Sequence, residues 1–204
     1  MPEDKIISHA KVGIIGGGIM GVSLLYHLAK EGWKDLVLIE KGELTSGSTW
    51  HAAGQCPQMM GSYNLAKIHL HSTNLYRELE KETGQSTGWH GCGSLRIAYK
   101  QEDLDWFKYV KGILDNVGAP AEIISTNEIK KIHPFIKLDG ILGAFYTPED
   151  GHTDPTSTTN AMAKGARNHG AKIYRKNRVT DIKLLSSGEW KLITEKGDIV
   201  CEHV

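Results

Sequence analysis

The chain has 204 residues and a mass of 22.5 kDa, enough to bury one sizeable core. Its 24 Lys+Arg balance 24 Asp+Glu, so no excess of one sign favours nucleic acid or an anionic membrane surface. Three widely spaced cysteines, Cys56, Cys92 and Cys201, with no C-x-x-C pair, argue against a disulfide framework and a sulfur-rich metal site, and for a reducing compartment.

The opening MPEDKIISHAK is acidic where a targeting peptide would be basic, so a bacterial-type cytoplasmic protein is expected. Residues 12 to 29 are as apolar as a membrane span, but three consecutive glycines interrupt them, and strand, turn and helix explain them better; no span is expected. KVGII (11 to 15) reads as a buried parallel strand, Ile19, Val22, Leu25 and Leu28 keep helical spacing up to a stop at Gly32, and LVLIE (36 to 40) is a second buried strand.

Residues 63 to 83 form an amphipathic pattern, with Leu65, Ile68, Leu75 and Leu79 expected toward a core and Arg77, Glu78, Lys81 and Glu82 outward. A strand at 94 to 99, a helix at 101 to 118 and a short strand at 121 to 125 follow. A helix then starts with a capping box, Ser125 or Thr126 before Glu128, and a strand covers 141 to 147. A further helix begins at Asp154-Pro155 and ends at Asn168-His169-Gly170, after which four strand-like runs alternate with turns to the end. The last run has no closing element, so the chain reads as part of a longer protein.

Gly16, Gly18 and Gly21 make G-x-G-x-x-G between the first strand and the first helix, and Glu40 ends the second strand 19 residues after Gly21. With 23 glycines in the chain the pattern alone is weak; its strand-turn-helix context makes it a pyrophosphate cradle. Glu40 would accept hydrogen bonds from ribose hydroxyls and repel a 2′-phosphate, against the bland alternative that it only ends a strand. NAD and FAD both remain open on these residues.

The segment SGSTWHAAG (46 to 54) favours FAD, whose ribityl chain and ring extend past the second strand and need a closely approaching loop with hydroxyl donors. EKGELTSGSTWHAAG, ETGQSTGWHGCGSLRIA, PEDGHTDP and NRVTDI resemble the dimethylglycine and sarcosine dehydrogenase group of amine-oxidising flavoproteins, within the D-amino-acid-oxidase-like superfamily, over nearly the whole chain. The resemblance implies an α/β fold: a Rossmann-like FAD-binding domain from residues 1 to 88 and 152 to 204, C-terminally incomplete, with residues 89 to 151 an inserted part of a β-sheet substrate domain.

It also implies that His51 carries the flavin covalently through its 8α carbon, a bond for which a neutral imidazole nitrogen is a suitable nucleophile. Glu40 and Lys41 would meet the adenosine ribose, and Ile19 and Met20 the pyrophosphate turn. Gly47, Ser48, Thr49, Trp50, His51, Ala52, Ala53, Gly54 and Gln55 would line the ribityl and ring region, and Val179 the adenine. The reaction implied is oxidative N-demethylation of a small N-methyl amino acid. Hydride would pass from the N-methyl carbon to flavin N5, the resulting imine being hydrolysed or handed to a tetrahydrofolate in a C-terminal part absent here. Oxygen or an electron-transfer flavoprotein would take the electrons.

Three alternatives stand beside it: a non-catalytic relative like the regulatory subunit of pyruvate dehydrogenase phosphatase, an NAD-binding module, and flavin oxidation of another amino or hydroxy acid. QCPQMMGSYN departs from the dimethylglycine dehydrogenase pattern and is expected near the substrate face. Trp50, Trp89, Tyr63 and Tyr99 are candidates for a methylammonium cage or for simple packing. His69 and His71, at i and i+2 of a helix, face apart and cannot chelate one ion together.

Overall fold

The computed structural model describes residues 6–204, so the first part of the acidic opening lies outside the described residues. The described residues divide into two compact units: residues up to 53, 79–87 and 154–204 in the first, residues 54–78 and 88–153 in the second.

In the first unit, β1 (His9–Ile15), α1 (Ile19–Lys30) and β2 (Leu36–Ile39) form the expected β-α-β unit, with β2 buried at every position. The six-stranded sheet has the order β8-β2-β1-β11-β10-β9. Here β8 is Lys172–Tyr174, β9 Val179–Leu184, β10 Trp190–Thr194 and β11 Ile199–His203. β8, β2, β1 and β11 run parallel, while β9, β10 and β11 form an antiparallel meander.

The sheet centre is tight. A Cβ on Gly13 of β1 would lie 2.7 Å from the Cys201 sulfur of β11 and 2.8 Å from Leu192, and Cys201 is fully buried. Helix α5 (Pro155–Asn168) packs its small face on α1, where a Cβ on Gly165 would stand 2.7 Å from the buried Tyr26 ring. Tyr26 in turn donates to Glu82, which pairs with Lys30 at 2.7 Å.

In the second unit, β4 (Ser94–Ala98), β6 (Gly143–Thr147) and β5 (Glu122–Ile124) form an antiparallel sheet with β6 central. Alternation along β6 sends Phe145 to one core and Ala144 to the other. Phe145 joins Phe107, Val110 and Leu114 of α3 (Gln101–Val117) and Met59 and Ala66. Ala144 joins Ile124 of β5 and Ile129 of α4 (Thr126–Ile132), a helix that opens with the expected Ser125–Glu128 capping box.

Two expectations differ from the structure. Residues 54–78, assigned by sequence to the cofactor domain, belong to the second unit, because β3 (Gln55–Cys56) pairs with β7 (Gly151–His152) and Met59 and Ala66 enter the α3 core. Helix α2 (Tyr63–Thr83) has the expected length, and its second half the expected face, with Leu79 fully buried and Glu78, Lys81 and Glu82 exposed, but its first half turns a different face inward. Leu65 and Ile68 are 49% and 59% exposed, while Ala66, Leu70 and Thr73 take the inward positions; Arg77, expected outward, is half-buried in an ion pair with Glu149. Among the described residues no helix is long and apolar enough to cross a membrane.

Helix α5 starts on a tight cap: Asp154 accepts from the Ser157 N–H at 2.6 Å, and Pro155 fills the first turn. Hydrogen bonds from the Ser157 side chain and backbone hold the Asp154 carboxyl below its ordinary value. A depressed folded value means stability present above the unfolded carboxylate range and lost as pH falls. Asp154→Ala should therefore cost about 1 kcal/mol at pH 7, and the difference from wild type should shrink as pH drops below about 4, measured by urea unfolding across pH.

Candidate functional site

The site begins where β1 ends. Gly16 has φ +109°, a conformation that favours glycine, and its N–H donates to the Ile39 carbonyl at 2.9 Å. A Cβ on Gly21 would overlap the Gly16 carbonyl, so the third glycine of the motif lets the helix start close against the turn. Gly18 precedes the helix with no side-chain cap of its own, and the first turn of α1 holds no acidic residue.

Two distant side chains hold this turn. The Glu40 carboxylate, only 8% exposed, accepts from the Gly17 N–H at 2.6 Å and from the Gly42 N–H at 2.7 Å. Thr49, buried beside it, accepts from the Ile19 N–H at 3.0 Å through its hydroxyl. Thr49 thus serves as a cap supplied by a loop rather than by the residue before the helix. The Thr45 N–H donates to the Gly17 carbonyl at 3.0 Å, laying the loop from Gly42 to His51 along the glycines.

Thr49–His51 is one turn of 3-10 helix. The His51 Nδ1 lies 3.2 Å from the Gly47 carbonyl, which can only accept, so Nδ1 is the donor and, in the neutral ring, Nε2 bears the lone pair. The ring is exposed and lies against Trp50, centroids 3.8 Å apart; Trp50 is itself 57% exposed. Ser46, Gly47, Ser48, Ala52 and Ala53 are exposed as well.

The chain from β8 to β9 docks on the end of β2: Glu40 N–H donates to the Tyr174 carbonyl at 2.9 Å, Asn177 N–H to the Glu40 carbonyl at 3.0 Å, and Lys176 N–H to the Gly42 carbonyl at 3.1 Å. Val179 follows two residues later, half-buried. Asn177 is fully buried; its Oδ1 accepts from the Lys196 N–H at 3.0 Å, and its Nδ2 has no hydrogen-bond partner among the described residues.

Of the residues expected at the cofactor, Gly16, Gly18, Ile19, Met20, Gly21, Glu40, Lys41, Gly47 through Ala53 and Val179 stand in the first unit. Gly54 and Gln55 fall in the second. Trp89, a cage candidate, stacks beneath the Arg77 guanidinium at 5.7 Å, and Tyr63 beneath Lys67 at 5.6 Å. His69 donates through Nδ1 to the Pro57 carbonyl at 2.7 Å. Thr45 and Asn177 are parts of the site that sequence reasoning missed; the near-motif NRVTDI was the available signal for Asn177.

The residues fit an FAD. Gly18, Met20 and Gly21 point backbone N–H groups outward from a helix start with no protein acceptor among the described residues and no carboxylate in the first turn, as a pyrophosphate requires. Glu40 retains lone pairs beyond the two amides it binds, available to ribose hydroxyls. Removing it should orphan the buried Gly17 amide: Glu40→Ala is expected to cost about 1–3 kcal/mol and Glu40→Gln less, by chemical denaturation of the same protein without added cofactor.

Comparison with known proteins agrees with this geometry. The chain is 45% identical over its whole length to rat mitochondrial dimethylglycine dehydrogenase, of which it covers 24%, and 37% identical over 96% of its length to the mouse mitochondrial pyruvate dehydrogenase phosphatase regulatory subunit, of which it covers 22%. It thus spans about a quarter of the length of these curated relatives. The solved L-proline dehydrogenase of P. horikoshii superposes with a TM-score of 0.87 at 28% identity, over 98% of this chain and 53% of that one. Residues 11–204 match the family model DAO, FAD dependent oxidoreductase, and the chain belongs to that family.

Proposed function

We propose that the protein to which these residues belong is an FAD-dependent dehydrogenase or oxidase of small N-methyl amino acids, of the dimethylglycine or sarcosine class, with its flavin joined to His51. The observation that carries this reading is the single turn Thr49–His51. Thr49 closes the helix that would bind the pyrophosphate, and two residues on, His51 offers an exposed imidazole whose Nε2 bears the lone pair. One rigid element would thereby fix both ends of the cofactor's reach. The 45% identity to dimethylglycine dehydrogenase supports the substrate class.

FAD would supply the two-electron acceptor for the substrate C–H bond. The chain's own part is binding and orientation. The helix start of α1 holds negative charge, Glu40 selects an unphosphorylated ribose, Lys41 flanks it, Val179 borders the adenine, and Gly47 to Gln55 line the approach to the ring. Residues 54–78 and 88–153 would begin the substrate domain. A folate-linked C-terminal part and an electron-transfer flavoprotein or oxygen as acceptor belong to the same reading. Free Cys56, Cys92 and Cys201 fit a reducing compartment such as the cytoplasm.

The test uses the complete protein, wild type and His51→Ala, denatured in acid. Flavin absorbance and added mass should stay with the wild-type polypeptide and leave the variant. Anaerobic dimethylglycine or sarcosine should bleach the bound flavin. A yellow wild type that releases its flavin reduces His51 to a neighbour. Bound flavin that no amine bleaches would favour the regulatory reading, which the 37% identity to the phosphatase subunit motivates.

A further inference from the structure

Within the second unit, His90 and His152 face each other across an isolated antiparallel bridge. They exchange both backbone hydrogen bonds, His90 N–H to the His152 carbonyl at 2.8 Å and His152 N–H to the His90 carbonyl at 3.0 Å. Directly opposed residues of this kind project their side chains to the same face. The two imidazole centroids are 5.3 Å apart with ring planes 36° from parallel, and both rings are exposed. Neither ring has a protein hydrogen-bond partner among the described residues.

The ladder continues on the other side of His152, whose partner in β3 is Gln55. Gln55, His152 and His90 therefore form a row of carboxamide, imidazole and imidazole across three chain segments. The backbone beneath is firm. A Cβ on Gly151 would overlap the His90 carbonyl and lie 2.8 Å from the Trp89 ring, and Trp89 is covered by Arg77, itself paired with Glu149 at 3.1 Å.

We propose that His90 and His152 form a two-imidazole site for a borderline-soft divalent transition ion of the Cu2+ and Zn2+ class, with water completing its coordination and the Gln55 carboxamide as the adjacent oxygen. Imidazole is a preferred donor for these ions. Two nitrogens bonded to one ion at about 2.0–2.1 Å lie roughly 3 Å apart, a separation that rings with centres 5.3 Å apart reach by side-chain rotation alone. The backbone bridge has already fixed the two strands, so binding orders only two side chains. Binding would clamp the segment before β4 onto β7, and the ion would be displaced by acid because each ligand must be deprotonated.

The test titrates the chelator-treated complete protein with Zn2+ by calorimetry and with Cu2+ by electron paramagnetic resonance, at pH 7.4 and in acid. Wild type should bind one ion at this site, with hyperfine structure from two imidazole nitrogens that is lost in acid. His90→Asn and His152→Asn should each weaken binding at least about tenfold, the lower end of what loss of even an outer-shell partner costs, and each should leave one nitrogen in the signal. Cys92→Ser, which removes a thiol two residues from His90, should change neither. Unaltered affinity and signal in both histidine variants overturn the site, and so does loss of binding in Cys92→Ser with retention in His152→Asn. Near-ultraviolet circular dichroism of each variant shows that the fold is intact, and raised thermal stability of wild type with Zn2+, absent in either histidine variant, gives a second readout.

Discussion

The hydrogen bond from the Ile19 amide to the Thr49 hydroxyl joins residues 30 positions apart and sets the character of the whole site. A helix start ordinarily satisfies its exposed amides with a Ser, Thr, Asp or Asn at its own first position. Here that position is Gly18, and a carboxylate near it would oppose an incoming phosphate. Borrowing a neutral hydroxyl from a later loop satisfies one amide without placing charge in the cradle, and it leaves the neighbouring amides outward. Glu40, whose charge would be harmful in the cradle itself, binds the Gly17 amide instead and stays at the end of β2, where a sugar rather than a phosphate is expected. The loop that brings Thr49 also brings His51, so cradle and imidazole share one anchor.

Much of this was legible in the chain because its signals are local. KVGII and LVLIE are continuous apolar runs, as parallel strands buried on both faces must be, and the glycines between them have few alternatives to a tight turn. The Ser125–Glu128 box and the Asp154-Pro155 start sit within four residues of the helices they cap. The capping role of Thr49 had no such signal, since nothing local distinguishes a loop threonine that reaches a helix 30 residues earlier. The first half of α2 departs from its pattern for a different reason. Leucine and isoleucine outweigh alanine in any hydrophobic pattern, yet close approach to α3 selects the small Ala66 with Leu70, and Leu65 and Ile68 remain outside. The placement of residues 54–78 depended on a pairing between Gln55 and His152 that only the folded chain reveals.

The two units differ in how they are held. In the first, parallel strands and small helical residues permit close approach: Gly165 against Tyr26 and Gly13 against Cys201 leave no room for a methyl group. In the second, aromatic and aliphatic side chains fill a shallower sheet from both faces, and polar ties such as Arg77 to Glu149 fasten its edges.

The contact between Gly13 and Cys201 makes the sulfur a native clock for the sheet. Burial pushes the Cys201 thiol up to about 11, and its strand joins the parallel core to the meander. A thiol reagent reaches this atom only when β11 separates from β1, whereas the exposed Cys92 is open to it from the start. The ratio of the two labelling rates reports how often the sheet that carries the glycine turn opens, in the unmodified protein and without an introduced probe.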